Sequence, residues 1–319
     1  RRPATAVILA TTSGMVVPML SGVDKSTSSR EPTLDMLGTK KTSLYVKSYG
    51  GGVSLRNFMG RSQLSSFMPK GAIRLGGILT YMGHIAANAG SALQPVVLVH
   101  GWGGSFASTW RSSGFADLLE DAGRTVIGVD LLGHGLAPKP HEPEAYGDLT
   151  QRVLEQMPDE PCDLVGFSLG AITLLQLAIN HPDRVRSLVL AGIGRNVIER
   201  DESGSHDVLV QALEGKEFPD NNLARLFVQY ADQPGNDRVA LTAIMKRDRA
   251  PYTPEQLSRV SCPVLVAVGD QDFAGPGNGL VELLPDARLV VLKKCDHFAT
   301  TENFDFFDAA LGFLEALPS

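Results

Sequence analysis

The stretch Cys162-Asp163-Leu164-Val165-Gly166-Phe167-Ser168-Leu169-Gly170-Ala171-Ile172 reads as a short apolar strand, a glycine-flanked serine and the opening of a helix. Residues 162–165 are mostly apolar, as in a strand buried on both faces, and Ile172, Leu175, Leu177 and Ala178 follow as a helical stripe. Between the two stands Gly-x-Ser-x-Gly. A sharp strand-to-helix turn holds its central residue at strained backbone angles, so the flanking positions must lack side chains that would collide. Gly166 and Gly170 meet that need. The turn lifts the Ser168 hydroxyl clear of the sheet and leaves the Leu169 backbone NH at a helix N-terminus, pointed where an oxyanion would form.

Outward from this turn, short β-branched runs alternate with longer segments of helical spacing, the pattern of a mostly parallel sheet flanked by helices. The runs are residues 95–99, 125–129, 162–165, 187–190, 263–268 and 289–292, which predicts six strands, each nearly all apolar. Phe115, Leu118 and Leu119 form a helical stripe, and Phe306, Phe307, Ala310, Leu311 and Leu314 form the last one. About 70 residues separate the fourth run from the fifth. Helical stretches at 208–213 and 223–230, broken by Pro219 and by Pro234 with Gly235, make residues 194–256 a small helical cap in preference to a structureless loop. The sheet and its helices then span residues 95–193 and 257–319.

A serine hydroxyl is a weak nucleophile near neutral pH and needs a base in hydrogen-bond reach, with a carboxylate to orient that base. Of the seven histidines, His297 is preferred as the base, because Cys295-Asp296-His297-Phe298 lies past the last strand, at the carboxyl edge that also carries Ser168. His100 and His134 also follow strands, but their glycine neighbours make a structural role more natural. His84, His141, His181 and His206 read as solvated or helix-end residues. The run Val268-Gly269-Asp270-Gln271-Asp272-Phe273 offers two carboxylates. Asp270 directly follows the strand, where a turn tends to use it; Asp272, two positions on, can reach back over the sheet edge and is preferred.

The order Ser168, Asp272, His297, with the motifs around it, resembles the α/β-hydrolase family over residues 95–319, about 70% of the chain. The family's His-Gly-x-Gly segment is matched by His100-Gly101-Trp102-Gly103, and the resemblance implies that the Trp102 backbone NH completes an oxyanion hole with that of Leu169. Its Asp-x-x-Gly-x-Gly turn is matched by Asp130-Leu131-Leu132-Gly133-His134-Gly135. Members usually begin with an antiparallel strand pair before His-Gly; here residues near Tyr45 supply a single candidate strand.

A serine backed by His and Asp carries out acyl transfer, which makes a carboxylic ester or related small acyl compound the expected substrate. Halide displacement and epoxide opening, which use an aspartate at the elbow, do not suit Ser168. Carbon–carbon bond hydrolases and cofactor-free perhydrolases or haloperoxidases share the same triad, and His100-Gly101-Trp102 with Gly166-Phe167-Ser168 resembles the perhydrolase group. A non-catalytic ligand-binding member of the fold is the alternative of a different class. Phe167, Phe227, Tyr230 and Met245 are candidate pocket lining, or ordinary core.

Composition narrows the remaining choices. The 319 residues carry 29 basic and 35 acidic side chains, a net charge of -6, with 43% hydrophobic residues, the profile of a globular chain. No uninterrupted apolar run reaches the roughly 18 residues of a spanning helix, so no membrane partner is expected. Three cysteines, Cys162, Cys262 and Cys295, are too few for a disulfide scaffold and have no zinc-ligand spacing. No cofactor and no metal are expected. Residues 1–94 hold 11 basic and 3 acidic side chains, against 18 and 32 in the rest. The acidic remainder disfavours nucleic acid. The basic, Ser-rich segment 1–94 reads as a poorly ordered extension: a transit or secretory leader, a non-native segment ahead of Met82, or a plain tail. A cytoplasmic location is the default if it is no leader. The sequence assigns no oligomeric state.

Overall fold

The computed structural model describes residues 94–247 and 249–316, together with four strands among residues 5–56. The chain separates into two units between Ser91 and Ala92. In the first, β1 (Thr5–Ala10), β2 (Val16–Ser21), β3 (Tyr45–Tyr49) and β4 (Gly52–Arg56) form a sheet of order β2-β1-β4-β3. The strand expected near Tyr45 is β3. The other three are not anticipated by the sequence, because an apolar run such as residues 5–10 serves equally well in a leader. The rest of the expectation for residues 1–94, Met82 included, lies outside the described residues.

The second unit is built on β5 (Val96–Val99), β6 (Val126–Val129), β7 (Cys162–Phe167), β8 (Val185–Ala191), β9 (Val264–Gly269) and β10 (Ala287–Leu292), hydrogen-bonded in the order β10-β9-β8-β7-β5-β6. All five pairings are parallel. All six predicted runs are strands. Their burial departs from expectation at the two ends of the sheet, where β6 is half-buried along most of its length and β10 leaves Val291 half exposed. An edge strand lacks a neighbour on one side, so its apolar character overstates its burial.

Alternation along each strand sends side chains to two cores. Val97, Val99, Leu164, Leu188, Leu190 and Val266 face α2 (Thr150–Gln156), α3 (Leu169–Asn180) and α8 (Asn278–Leu283). Val96, Leu98, Val165, Val189, Leu265 and Ala267 face α1 (Phe115–Asp121) and α9 (Phe304–Phe313), through Phe115, Leu119, Phe306 and Leu311. At the amino end of β7 the fully buried Asp163 carboxylate bonds the guanidinium groups of Arg124 and Arg186 and accepts from the Ser187 hydroxyl. Arg124 also donates to the carbonyls of Gln94 and Leu314, so one charge cluster ties the start of the sheet to its last helix.

Between β8 and β9 run α4 (Ser205–Leu213), α5 (Asn222–Ala231), α6 (Arg238–Lys246) and α7 (Pro254–Leu257). Asn221 and Asp237 cap α5 and α6 by accepting from the first free backbone NH groups, and Thr253 with Gln256 forms a capping box on α7. Among the described residues no helix is long and apolar enough to cross a membrane.

Candidate active site

Ser168 sits between β7 and α3 at φ 51° and ψ −112°, a backbone conformation that costs a residue with a Cβ about 1–3 kcal/mol. Its own NH donates to the Ala191 carbonyl at 2.8 Å. The glycines on either side are needed for close approach. A Cβ on Gly166 would lie 2.6 Å from the Ala171 nitrogen, and one on Gly170 would lie 2.4 Å from the Val99 carbonyl oxygen and 2.5 Å from that of His100. These obstacles are backbone and cannot rotate away. Gly170→Ala is therefore expected to destabilise the domain by about 1–3 kcal/mol as α3 is pushed from β5, read as a lowered Tm. An unchanged Tm would show that β5 and α3 can part without cost.

The strand order gathers three connections at the carboxyl edge: β7 leads to Ser168 and, on the other side of β8, β9 leads to Asp272 and its neighbour β10 to His297. His297 Nε2 lies 2.9 Å from Ser168 Oγ, and His297 Nδ1 lies 2.8 and 3.0 Å from the two carboxylate oxygens of Asp272. The Asp272 side chain is fully buried, and its Oδ1 also accepts from the Ala274 NH at 2.8 Å. A carboxylate only accepts, so Nδ1 carries the proton and Nε2 offers a lone pair to the Ser168 hydroxyl. Asp270 is exposed and does not touch His297; its carboxylate accepts from the Cys295 NH, joining the two loops.

Leu169 is the first residue of α3, so its NH has no partner within the helix. Trp102 follows β5, whose Val99 pairs with Gly166, and a Cβ on Gly101 would lie 3.4 Å from that of Ser168. The two NH groups thus belong to segments beside the serine, one at the start of α3 and one in the loop after β5. His100, just before them, is wholly buried: its Nε2 accepts from the Leu131 NH at 3.1 Å, leaving Nδ1 to donate to the Gly101 carbonyl at 2.7 Å. Burial holds its pKa below the ordinary histidine range. His134, packed 4.9 Å from it, is held well below that range by burial first and then by His100. Both are neutral structural groups. His141 is paired with Asp237 at the start of α6, and His181 ends α3.

The serine opens into a cleft of about 170 Å³ lined by aromatic side chains and a few polar ones. Phe167, Phe227 and Tyr230 line it as the sequence suggests, joined by Trp102 and Phe298. Met245 does not; it packs against the main core and the α4–α5 cluster, because α6 turns that side inward. Trp102 stacks on Phe227 at 4.9 Å, Phe298 on Tyr230 at 5.2 Å, and Phe273 lies 4.1 Å from the His297 ring. The sequence gives Phe273 and Phe298 no pattern of their own beyond each directly following a triad candidate. Thr301 and Glu302, on the turn after His297, also line the cleft. The three cysteines are buried, and burial raises their thiol pKa values, that of Cys262 to about 11. Among the described residues no three His, Cys, Asp or Glu side chains converge as metal ligands would.

With this sheet, elbow and His-Asp arrangement, the chain belongs to the α/β-hydrolase fold family, whose sequence profile matches residues 94–229. It is an α/β-hydrolase enzyme. It is similar to a pimeloyl-[acyl-carrier protein] methyl ester esterase of Neisseria meningitidis serogroup C, 30% identical over 249 residues that cover 68% of this chain and 92% of the relative. It is also similar to the 2-hydroxy-6-oxo-6-(2'-aminophenyl)hexa-2,4-dienoic acid hydrolase of Metapseudomonas resinovorans, at 29% identity over 69% of this chain and 84% of that one. Among solved structures, a 2-hydroxy-6-oxo-6-phenylhexa-2,4-dienoate hydrolase from Rhodococcus sp. strain RHA1 superposes with a TM-score of 0.51 at 25% identity, covering 72% of this chain and 92% of that chain.

Proposed function

We propose that the chain hydrolyses a small carboxylic ester through an acyl-enzyme on Ser168, with His297 as base and Asp272 as its orienting partner. The observation that carries this reading is the unbroken line of hydrogen bonds from Asp272 through His297 to Ser168 Oγ. Ser168 Oγ forms a bond to the ester carbonyl carbon while its proton passes to His297 Nε2. The carbonyl oxygen takes up the negative charge between the Trp102 and Leu169 NH groups. As the carbon–oxygen bond breaks, His297 returns the proton to the departing alcohol. Water, deprotonated by the same Nε2, then releases the acid and restores Ser168. The chain and water supply every group in this cycle. Helices α4–α6 act as a cap over the site, since Phe227 and Tyr230 of α5 line the same cleft as Ser168.

Carbon–carbon bond hydrolysis is the second reading, favoured by the similarity to the dienoic acid hydrolase. The cleft argues for the ester. An acid substrate brings a carboxylate that needs a counter-ion, and among the described residues lining the cleft there is one carboxylate, Glu302, and no lysine or arginine. The test is turnover of a series of short aryl esters and fluorophosphonate labelling, in wild type and Ser168→Ala. Wild type is expected to hydrolyse and label, and Ser168→Ala to lose about 10⁴-fold or more of the rate and all labelling. A folded wild type that neither labels nor hydrolyses would instead mark a ligand-binding protein.

A further inference from the structure

Glu302 stands out in the cleft because nothing in the cycle above uses it. It ends the turn Thr300–Glu302, which is held close behind His297: the Thr300 NH donates to the His297 carbonyl, the Ala299 NH to the Asp296 carboxylate, and the Glu302 NH to the Ala299 carbonyl. The bonds hold the backbone from which the Glu302 side chain departs beside the triad histidine. Among the described residues no lysine or arginine pairs with it, and none lines the cleft. Its charge reaches into the cleft: the Tyr230 phenol, itself part of the lining, has its pKa raised by burial and further by Glu302 and Asp296. Beside Gln233 and the triad histidine, the other large lining groups are aromatic, Trp102, Phe167, Phe227, Tyr230 and Phe298, and aromatic faces attract a cation. Aromatic walls accept a neutral apolar group and an ammonium group alike; a single uncompensated carboxylate favours the second.

We infer that Glu302 is a specificity-determining residue and that the cleft prefers esters bearing an ammonium-type cation. The inference rests on the ester-hydrolase reading and adds the substrate's charge to it. It is tested with two butyrate esters of the same shape, the 2-(trimethylammonio)ethyl ester and the 3,3-dimethylbutyl ester. Wild type is expected to favour the cationic ester by about tenfold in kcat/KM, chiefly through KM, with the preference shrinking as salt is added because Glu302 is exposed. Glu302→Gln should bring the ratio to about one, and Glu302→Lys below it. A wild-type ratio of one or less, or a ratio that Glu302→Gln leaves in place, overturns the inference. Loss of both activities together with absent Ser168 labelling is a failure of the hydrolase reading instead. Tetramethylammonium binding by calorimetry then decides: affinity weakened by Glu302→Gln supports the cation site, and equal or undetectable binding in both proteins rejects it.

Discussion

Asp272→Asn is expected to lower kcat/KM for an ester by about 10⁴-fold, whereas Asp270→Asn costs little. An asparagine amide at position 272 can donate to Nδ1, and a His297 ring that accepts there must carry its proton on Nε2. That tautomer cannot take the Ser168 proton, although the geometry of 2.8 Å to Nδ1 and 2.9 Å from Nε2 to Oγ survives. Asp270 touches only the Cys295 NH, at 3.3 Å, so its loss loosens the two loops and leaves the ring alone. Steady-state kinetics on the two variants separates them. Equal losses would mean that the loops, and not the carboxylate on Nδ1, orient the base.

The second large effect concerns stability. Asp163→Ala is expected to destabilise the domain by about 3–5 kcal/mol, because it strands the buried Arg124 guanidinium without its counter-ion. Arg186, partly exposed, can turn to water, but Arg124 is 4% exposed and locked to Gln94 and Leu314. Urea denaturation reads the loss, and a fall in Tm of about 10 °C should accompany it. Five residues of strand, roughly 17 Å, separate position 163 from Ser168. Below its Tm the variant should therefore keep its rate of fluorophosphonate labelling. A Tm within a degree or two of wild type would show that Arg124 finds water in the native state.

The cluster around Asp163 also shows where sequence reading stops. An aspartate inside the apolar run 162–165 carries no local sign that Arg124, ahead of β6, and Arg186 with Ser187, on β8, converge on it from two other segments. Asp272 and His297 were legible because a strand end is a place, and the carboxyl edge of a parallel sheet gathers such places. For Met245 the sequence leaves pocket lining and ordinary core equally open, because position within a helix says nothing of which side faces the cleft until the helix is docked, and the structure packs it in the core.

By itself, the sequence determined the elements whose cause is local. Apolar runs of strand length, the Gly-Phe-Ser-Leu-Gly turn between β7 and α3, and the order of serine, acid and histidine all follow from side-chain volume, backbone freedom and periodicity within a few residues. The tertiary structure alone decided what depends on meeting across the chain: that Asp163 gathers Arg124, Arg186 and Ser187, that His100 is used up between Leu131 and Gly101, and that Glu302 lines a cleft with no lysine or arginine among its described lining residues. Those outcomes rest on distances of a few ångströms between segments remote in sequence. Such distances exist only once the sheet order β10-β9-β8-β7-β5-β6 has brought the loops together.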